Sequence, residues 1–179
     1  MALINTTTTG VLGTTLYGDG AGSLTVQKDG VTQGIYGNIP AFNVGKSVSQ
    51  TGIAQNTWTK VTFPLVDFDT NNNFSTSTSR FTPTVSGYYQ INMAAYFSSG
   101  TSASDFYLQV YKNGNAPTPQ RYTNFNSLST PTCTLTLNFL IYMNGTTDYL
   151  ESWIYTNAST SNTIHYGGTG FSGFLAKAA

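Results

Sequence analysis

The chain of 179 residues is poor in charge, since 8% of its residues are charged, seven basic and seven acidic. Ordinary soluble domains have about 25% charged residues, so Thr, Ser and Asn must cover most of this surface. A formal net charge of zero excludes the basic stripe that a nucleic-acid-binding protein needs. No apolar run approaches the roughly 18 residues of a membrane span, so we predict neither nucleic-acid binding nor membrane insertion.

The leader, residues 1–38, is rich in Thr and Gly and has few large apolar side chains. Asp29-Gly30, which lies between Leu24-Thr25-Val26 and Val31-Thr32-Gln33, predicts a hairpin turn. Because the leader cannot bury much apolar surface by itself, we expect it to pack on another chain. Residues 1–6 lack the basic and apolar regions of a secretory signal, which predicts synthesis and folding in a cytosol.

Residues 39–179 form a second region whose pattern is that of successive short strands. Apolar and polar residues alternate with a period of two in segments at 59–66, 89–93, 106–111, 134–141, 149–155 and 170–175. For example, Leu135, Leu137 and Phe139 alternate with polar residues, and that run ends at Asn144-Gly145. This period, the Gly, Pro and Asn between the runs and the lack of a helical window predict an all-β sandwich or barrel.

Two of the predicted strands have large aromatic residues beside their core-type positions. These residues are Tyr107, Tyr111, Tyr149, Trp153 and Tyr155. One face of a sandwich strand is ordinarily polar and wet. We therefore predict that another subunit covers this second face and that the five aromatic residues form the interface between subunits. The alternative is a set of half-exposed tyrosines, or loop contacts within one subunit.

Candidate catalytic and metal-binding residues are few. His165 and Cys133 are the only histidine and cysteine, so a His-based triad or metal cluster would depend on one residue. We interpret His165 as a structural or surface residue and Cys133 as a buried small hydrophobe. Asp67 and Asp69 alternate and are candidate Ca²⁺ ligands, with a solvated turn as the alternative. With seven acidic residues in all, we predict no glycosidase-type carboxylate pair, no enzymatic activity and no cofactor.

Four motifs in order resemble the C1q-like domain of the C1q and tumour necrosis factor superfamily. They are Ala41-Phe42, Phe81-Thr82-Pro83-Thr84-Val85-Ser86-Gly87-Tyr88-Tyr89, Tyr111-Lys112-Asn113-Gly114 and Phe171-Ser172-Gly173-Phe174-Leu175. The resemblance covers roughly residues 40–175. The chain departs from the family at Gly145-Thr146-Thr147-Asp148, where two residues separate a Gly and an Asp that are often adjacent, and it has no collagen-like Gly-x-y stalk.

This resemblance implies a jelly roll of two antiparallel sheets that associates as a tight homotrimer, with the interface residues above at its centre. The motif residues that would mark its strands and turns are Phe81, Gly87, Tyr89, Asn113, Gly114, Phe171, Gly173 and Phe174. Gly87 would give a tight entry to a central strand, and Phe171 and Phe174 would seat the last strand near the core. Family members act by binding partners, which agrees with the prediction that the chain is not an enzyme.

These features together favour a structural protein of a bacteriophage virion, as a tail fibre, a spike or a capsid decoration. Residues 24–30 resemble the attachment segments of phage fibre proteins. The leader would anchor the chain to another virion protein, while residues 39–179 project outward as a trimeric knob for host attachment.

The alternative is a carbohydrate-binding module on a cell surface, since exposed aromatic rings stack on sugars. Its candidate glycan contacts are Tyr122, Phe125, Tyr155 and Tyr166. The two functions are compatible, because a phage knob can itself bind a host-surface glycan.

Overall fold

The computed structural model describes residues 39–101, 103–128 and 132–179, together with two short strands in the leader. The chain divides into two units, residues 1–37 and 38–179, and each is described by itself. In the first unit, β1 (Gln27–Lys28) pairs antiparallel with β2 (Val31–Thr32), on either side of the predicted Asp29-Gly30 turn. The turn itself and the anchoring role predicted for the leader lie outside the described residues.

The second unit is built from strands throughout. The strands are β3 (Ala41–Gly45), β4 (Gln50–Thr51), β5 (Thr59–Lys60), β6 (Leu65–Asp69), β7 (Phe74–Ser75), β8 (Arg80–Phe81), β9 (Gly87–Ser98), β10 (Ala103–Lys112), β11 (Tyr122–Leu128), β12 (Thr132–Met143), β13 (Leu150–Thr156), β14 (Thr163–Ile164) and β15 (Gly170–Ala178). The described residues contain no helix, and so none that is long and apolar enough to cross a membrane. The all-β prediction is confirmed.

The described strands of the second unit form two antiparallel sheets. Sheet I has the order β11-β10-β13-β8-β7, with β5 also beside β13. In sheet II, β9 pairs with β12 along one edge and with β15 and β14 along the other, and β3 and β6 follow beyond β15. The last strand therefore lies between the first strand of the unit and a central one. This is the predicted jelly roll of two antiparallel sheets.

The core lies between the two sheets and consists mainly of residues at alternate strand positions. On β9, for example, Tyr89 and Ile91 are buried, whereas Tyr88 is exposed. The Phe42 ring stacks on that of Phe81, with ring centroids 4.0 Å apart, and it meets the Phe171 ring edge-on at 5.0 Å. Each such ring pair contributes about 1 kcal/mol beyond the burial of area. Burial raises the pKa of Tyr89 to about 12, and its hydroxyl donates to the Val85 carbonyl over 2.8 Å.

Two motif glycines let strands approach closely. At Gly87, where φ is 154°, a Cβ atom would lie 2.4 Å from the Lys177 carbonyl oxygen on β15. At Gly173 it would lie 2.8 Å from the Gln90 carbonyl oxygen on β9. Both positions exclude a side chain because real Cβ contacts are never so short. The tight entry implied for Gly87 agrees with this geometry.

The expectation that Phe171 and Phe174 both lie near the core is wrong for Phe174. Phe171 is fully buried, whereas the Phe174 side chain is 46% exposed. Residues three apart on a strand point to opposite faces, because side chains alternate with a period of two. Phe174 therefore lies on the outer face of sheet II.

The Asn113-Gly114 turn has the geometry of a two-residue hairpin. Both residues have positive φ, 55° and 78°, as the turn twist of such hairpins requires. Lys112 and Asn115 exchange backbone hydrogen bonds across the turn, of 2.8 and 3.1 Å. The Asn113 side chain then ties this turn to the start of β13, because its Oδ1 accepts from the Tyr149 backbone N–H over 2.9 Å.

The loop at residues 144–148, where the chain departs from the family motif, is closed by its own side chains. Asn144 Oδ1 accepts from the backbone N–H groups of residues 146, 147 and 148, each over 3.0 Å. Asp148 accepts from Asn113 Nδ2 and from Lys112 Nζ, both over 2.8 Å. Burial by itself would raise the pKa of Asp148, but these hydrogen bonds and the one from Asn144 outweigh it and hold the pKa below its ordinary value. The two extra residues are thus accommodated without breaking the strand pairing.

Candidate functional site

The outer face of sheet I, on the side away from the core, bears a packed aromatic surface. In the β10–β13 register, Tyr107 lies opposite Tyr155, Gln109 opposite Trp153 and Tyr111 opposite Glu151. The alternate residues Phe106, Leu108 and Val110 are fully buried in the core. The aromatic residues therefore lie on the outer face, as the sequence alternation predicts.

Trp58, which precedes β5, completes this surface although the sequence analysis did not identify it. Its ring centroid lies 5.5 Å from that of Tyr155, 6.0 Å from that of Tyr111 and 6.1 Å from that of Tyr107. Trp153 stacks on Tyr111 at 4.7 Å, with an angle of 20° between the ring planes. We call this surface, made of Trp58, Tyr107, Tyr111, Trp153 and Tyr155, the aromatic face. Its rings are half-buried by one another, and burial raises the pKa of Tyr111.

A buried carboxylate holds one end of the aromatic face. Glu151 is 1% exposed, and its Oε1 accepts from Arg80 Nε over 2.8 Å and from Lys60 Nζ over 3.1 Å. Its Oε2 accepts from Trp153 Nε1 over 3.1 Å. Burial alone would raise the pKa of Glu151, but these three hydrogen bonds and the attraction of Lys60 outweigh it and lower the pKa. Glu151 thus stays ionised and orients Trp153.

Two adjoining hollows open on the aromatic face and share Trp58 and Tyr107. The larger has a volume of about 400 Å³, and the smaller, about 270 Å³. The larger hollow is lined by Trp58, Tyr107, Gln109, Tyr111, Ala116, Gln120 and Tyr122. The smaller is lined by Trp58, Asp105, Tyr107 and Tyr155. We call the two hollows together the Trp58 cleft.

Three of the five predicted interface residues, Tyr107, Tyr111 and Tyr155, line the Trp58 cleft. Of the other two, Trp153 stacks on Tyr111 as described, and the Tyr149 ring lies under the Arg80 guanidinium, 4.1 Å from centroid to Cζ. Four of the five lie on strands of sheet I and Tyr149 directly precedes β13, and all five make contacts within the subunit, as in the alternative interpretation. Their role in an interface between subunits stays a prediction.

The four predicted glycan contacts do not lie together. Tyr122 and Tyr155 line the Trp58 cleft. Phe125 is 43% exposed and pairs with Phe106 at the edge of sheet I, which places it on the opposite side of β11 from Tyr122. Tyr166 is 62% exposed and lies between β14 and β15 of sheet II.

The alternation of apolar and polar residues in the sequence could not identify Trp58 as part of this site, because Trp58 lies in an irregular segment before β5.

The outer face of sheet II has a different character, since its aromatic side chains are exposed. Tyr88, Leu140, Tyr142 and Phe174 are between 42% and 53% exposed. Tyr88 lies opposite Tyr142, and their ring centroids are 5.5 Å apart. Gln90, two residues along β9, lies between Leu140 on β12 and Phe174 on β15. These four exposed side chains form a contiguous patch, which we call the apolar band.

Beside the apolar band, sheet II presents uncharged and small residues. Asn92 lies opposite Asn138 on β12 and Ser172 on β15, and Ser172 lies opposite Asn43 on β3. The next row contains small residues, namely Ala94, Thr136, Gly170 and Gly45. Because these side chains are small, two hollows of about 470 and 310 Å³ open over this half of the face, which leaves room for a second backbone to approach.

The candidate Ca²⁺ ligands Asp67 and Asp69 make protein contacts. Asp67 Oδ2 accepts from Asn43 Nδ2 over 3.1 Å. Asp69 Oδ2 accepts from the Phe74 backbone N–H over 2.7 Å, and thereby closes the turn between β6 and β7. Among the residues that the structure describes, no three His, Cys, Asp or Glu side chains cluster as a metal site would require. This arrangement agrees with the interpretation of a hydrogen-bonded turn.

His165 and Cys133 occupy structural positions. His165 Nε2 lies 2.6 Å from Ser98 Oγ, and its ring packs on Tyr96 with centroids 4.6 Å apart. Cys133 is half-buried and packs against the core. Burial raises the pKa of its thiol to about 11, so little reactive thiolate exists near neutral pH.

Comparison with known proteins shows the fold. No protein-family model matches the chain, and no curated protein sequence matches it. Among solved structures, the chain is similar to the globular domain of the zebrafish complement 1qA protein, with a TM-score of 0.51 and 22% identity over 79% of this chain and 99% of that one. It is also similar to murine APRIL, with a TM-score of 0.53 and 10% identity over 76% of this chain and 98% of that one.

A second crystal structure of murine APRIL, at pH 8.0, matches with the same TM-score and 11% identity. At these identities the likeness concerns the fold, and it confirms the predicted C1q/TNF-like jelly roll.

Proposed function

We propose that the chain is a non-enzymatic structural protein of a bacteriophage virion, as a fibre, a spike or a capsid decoration, and that it works as a homotrimer. The trimer is what the resemblance to the C1q and tumour necrosis factor superfamily implies. The observation that carries the proposal is the apolar band of sheet II, because four large side chains, each more than 40% exposed, adjoin rows of small and uncharged residues. A contiguous apolar patch on a polar protein marks an interaction site.

The choice of face follows from the side chains. On the aromatic face the rings already bury one another, and Glu151 is already paired with two cations. Covering that face would release little additional apolar area. Covering the apolar band would bury four exposed side chains, at about 25 cal/mol for each Å² of apolar area removed from water. We therefore assign the contact between subunits to sheet II, whereas the sequence predicted it at the aromatic face.

The virion role is supported by composition and by the division of the chain. A leader rich in Thr and Gly precedes a unit with its own core, and residues 24–30 resemble phage-fibre attachment segments. The low charge suits a particle surface that must not bind nucleic acid. We propose that the leader joins the trimer to another virion protein and that residues 39–179 project from the particle.

Deletion of residues 1–38 tests this proposal. The deletion should leave a folded trimer, as measured by circular dichroism and light scattering, yet abolish incorporation into particles, as measured by mass spectrometry of purified virions. A deleted chain that still enters particles at the normal level would contradict the anchoring role. Particles that lack the full-length chain altogether would contradict the virion role itself.

A further inference from the structure

We infer that the Trp58 cleft binds a neutral oligosaccharide, with one sugar ring in each hollow. This goes beyond the virion role and does not depend on it, because the cleft is formed within one subunit. The larger hollow has about 400 Å³, within the range of about 300–1,000 Å³ for small-molecule sites. The smaller hollow has about 270 Å³ and adjoins it across Trp58 and Tyr107. Two connected hollows suit an extended chain of small rings.

The side chain of Gln109 is the strongest sign of a ligand. Gln109 is 4% exposed and lies opposite Trp153, at the bottom of the larger hollow. None of the described residues forms a hydrogen bond with its side-chain amide. The amide is still accessible from the hollow. Among the described residues, the side-chain polar atoms that are fully buried without a partner are Asn73 Nδ2 and Asn162 Oδ1, and the amide atoms of Gln109 are not among them. Because the amide is accessible from the hollow, water pairs it in the free protein, and a hydroxyl group of a ligand would take the place of that water.

The chemistry of the cleft selects for sugars. A pyranose presents apolar C–H groups on its ring faces and hydroxyl groups at its edge. The tilted rings of Trp58, Tyr107 and Tyr155 offer walls for those faces. An amide both donates and accepts hydrogen bonds, as a hydroxyl group does, and both Gln109 and the exposed Gln120 reach the larger hollow. This combination of aromatic walls and amides in a concave site suits a sugar better than a flat protein surface, and Asp105 is the one charged side chain among the described lining residues.

Charge at the cleft also favours a neutral ligand. The nearest buried carboxylate, Glu151, is compensated by Lys60 and Arg80, so it offers no free charge to an ion. Asp105 in the smaller hollow accepts from Asn157 Nδ2 over 2.7 Å. Among the residues that the structure describes, no Lys or Arg lines either hollow, so an acidic polysaccharide would find no cation there.

Intrinsic fluorescence reads this site directly, because the chain's two tryptophans, Trp58 and Trp153, both belong to the aromatic face. The full-length chain is first screened on an array of neutral and acidic glycans. The neutral glycan that binds best is then titrated while tryptophan emission is recorded. We expect saturable binding of a neutral glycan with a change in emission. An array on which no neutral glycan binds, or on which acidic glycans bind best, would overturn the inference.

Three variants locate the site. Trp58→Ala and Gln109→Leu should each weaken binding by about tenfold or more, since each loses one stacking or hydrogen-bonding partner. Gln109→Leu should melt at the same temperature as wild type or higher, because the substitution breaks no hydrogen bond to a described residue. The control is Tyr166→Ala, an exposed tyrosine in the loop between β14 and β15, which should bind normally.

Three outcomes contradict the inference. One is glycan binding that survives in both cleft variants. Another is a Gln109→Leu variant that loses both binding and stability, because the amide would then have a structural partner. The third is attachment of the chain to host cells that requires Trp58 but no glycan, which would assign the cleft to a protein. None of these readouts measures particle incorporation or molar mass. The virion and trimer proposals can therefore fail while the glycan-binding inference holds, and the reverse.

Discussion

The five rings of the aromatic face pack on one another and are half-buried, whereas the large side chains of the apolar band on sheet II are exposed. Trp58, Tyr107 and Tyr155 have ring centroids within 6.1 Å of each other. Tyr142 and Phe174, by contrast, are 42% and 46% exposed. An aromatic sequence pattern alone therefore does not identify an interface. What matters is whether a face already buries its own rings.

Charge separates the two faces in the same way. Sheet I contains a buried carboxylate with three hydrogen-bond donors, and such a group fixes side chains in position. Sheet II contains a row of amides and hydroxyl groups beside its apolar band. A face fixed by its own contacts is suited to hold a small ligand, and a face with exposed apolar side chains beside small residues is suited to meet a copy of itself. The following predictions test this contrast, beginning with the largest expected effect.

Leu140→Asp should dissociate the assembly. Leu140 is 53% exposed in the apolar band, so an interface there would bury the new carboxylates, and close like charges cost several kcal/mol. We expect at least a hundredfold weaker association, measured as molar mass by light scattering over a dilution series. The control is Val48→Asp, since Val48 is 65% exposed outside the strands. If Leu140→Asp keeps the mass of wild type, the interface does not lie on this face.

Glu151→Ala should destabilise the fold by about 3 kcal/mol, because removing one partner of a buried ion pair leaves the other uncompensated. The estimate is at the lower end because Lys60 and Arg80 are 29% and 37% exposed. The control is Asp67→Ala, an exposed carboxylate of sheet II with one side-chain contact, which should cost under about 1 kcal/mol. Urea unfolding measures the free energy of unfolding of both variants. Equal losses of stability would show that the ion pairs of Glu151 contribute no more than the single contact of Asp67.

The same carboxylate should make stability depend on pH. Its pKa is lower in the folded state than in the unfolded state, so its stabilisation is complete above the ordinary carboxyl value of about 4.3. This stabilisation is lost as the pH falls through the lowered value. The pKa of Asp148 is also lowered in the folded state, so Asp148 contributes to the same pH dependence. Comparing wild type with Glu151→Gln isolates the contribution of Glu151. Wild type should lose more stability between pH 6 and pH 3, and parallel losses would contradict the assignment.

Gly145→Ala should disturb the loop that joins β12 of sheet II to β13 of sheet I. Gly145 has a φ of 71°, and a Cβ atom there would lie 2.4 Å from the Ser86 backbone nitrogen. Gly52 has the same φ with no atom within 4 Å of such a Cβ, so Gly52→Ala is the matched control. We expect Gly145→Ala to cost about 2 kcal/mol more than Gly52→Ala. Equal melting temperatures would mean that the loop can shift away from Ser86.

Tyr155→Phe should have the smallest effect. Its hydroxyl donates to Asn56 Oδ1 over 3.2 Å at an exposed position, so its loss should cost about 0.5 kcal/mol. The Trp58 contact is retained because the ring remains. A loss of more than about 2 kcal/mol in urea unfolding would mean that the hydroxyl, rather than ring packing, holds the aromatic face together.

Much of the fold could be predicted from the sequence because β-strand alternation is local. Leu135, Leu137 and Phe139 point inward as their spacing predicts, and Asn113-Gly114 forms the expected turn. The exposure of Phe174 also follows from the sequence, because Phe171 and Phe174 are three residues apart and residues at that spacing lie on opposite faces of a strand.

The candidate site was harder to predict because it depends on contacts between distant segments. Tyr107 and Tyr155 are 48 positions apart and meet across the β10–β13 pairing. Trp58 lies in a segment where apolar and polar residues do not alternate, and its neighbours in the sequence do not indicate the hollow that it helps to line. Burial of Gln109 is likewise a property of the assembled face, because its position on β10 predicts an outward-facing residue that should be exposed.

Side-chain footprinting with hydroxyl radicals tests most directly the assignment of self-association to sheet II and ligand binding to sheet I. The assembled wild type is compared with the dissociated Leu140→Asp variant, and oxidation of each residue is measured by mass spectrometry. Tyr142 and Phe174 should be protected in the assembly, while Trp58 and Tyr122 should be oxidised equally in both. Protection of Trp58 and Tyr122 with unchanged Tyr142 and Phe174 would contradict the assignment and place the interface on the aromatic face.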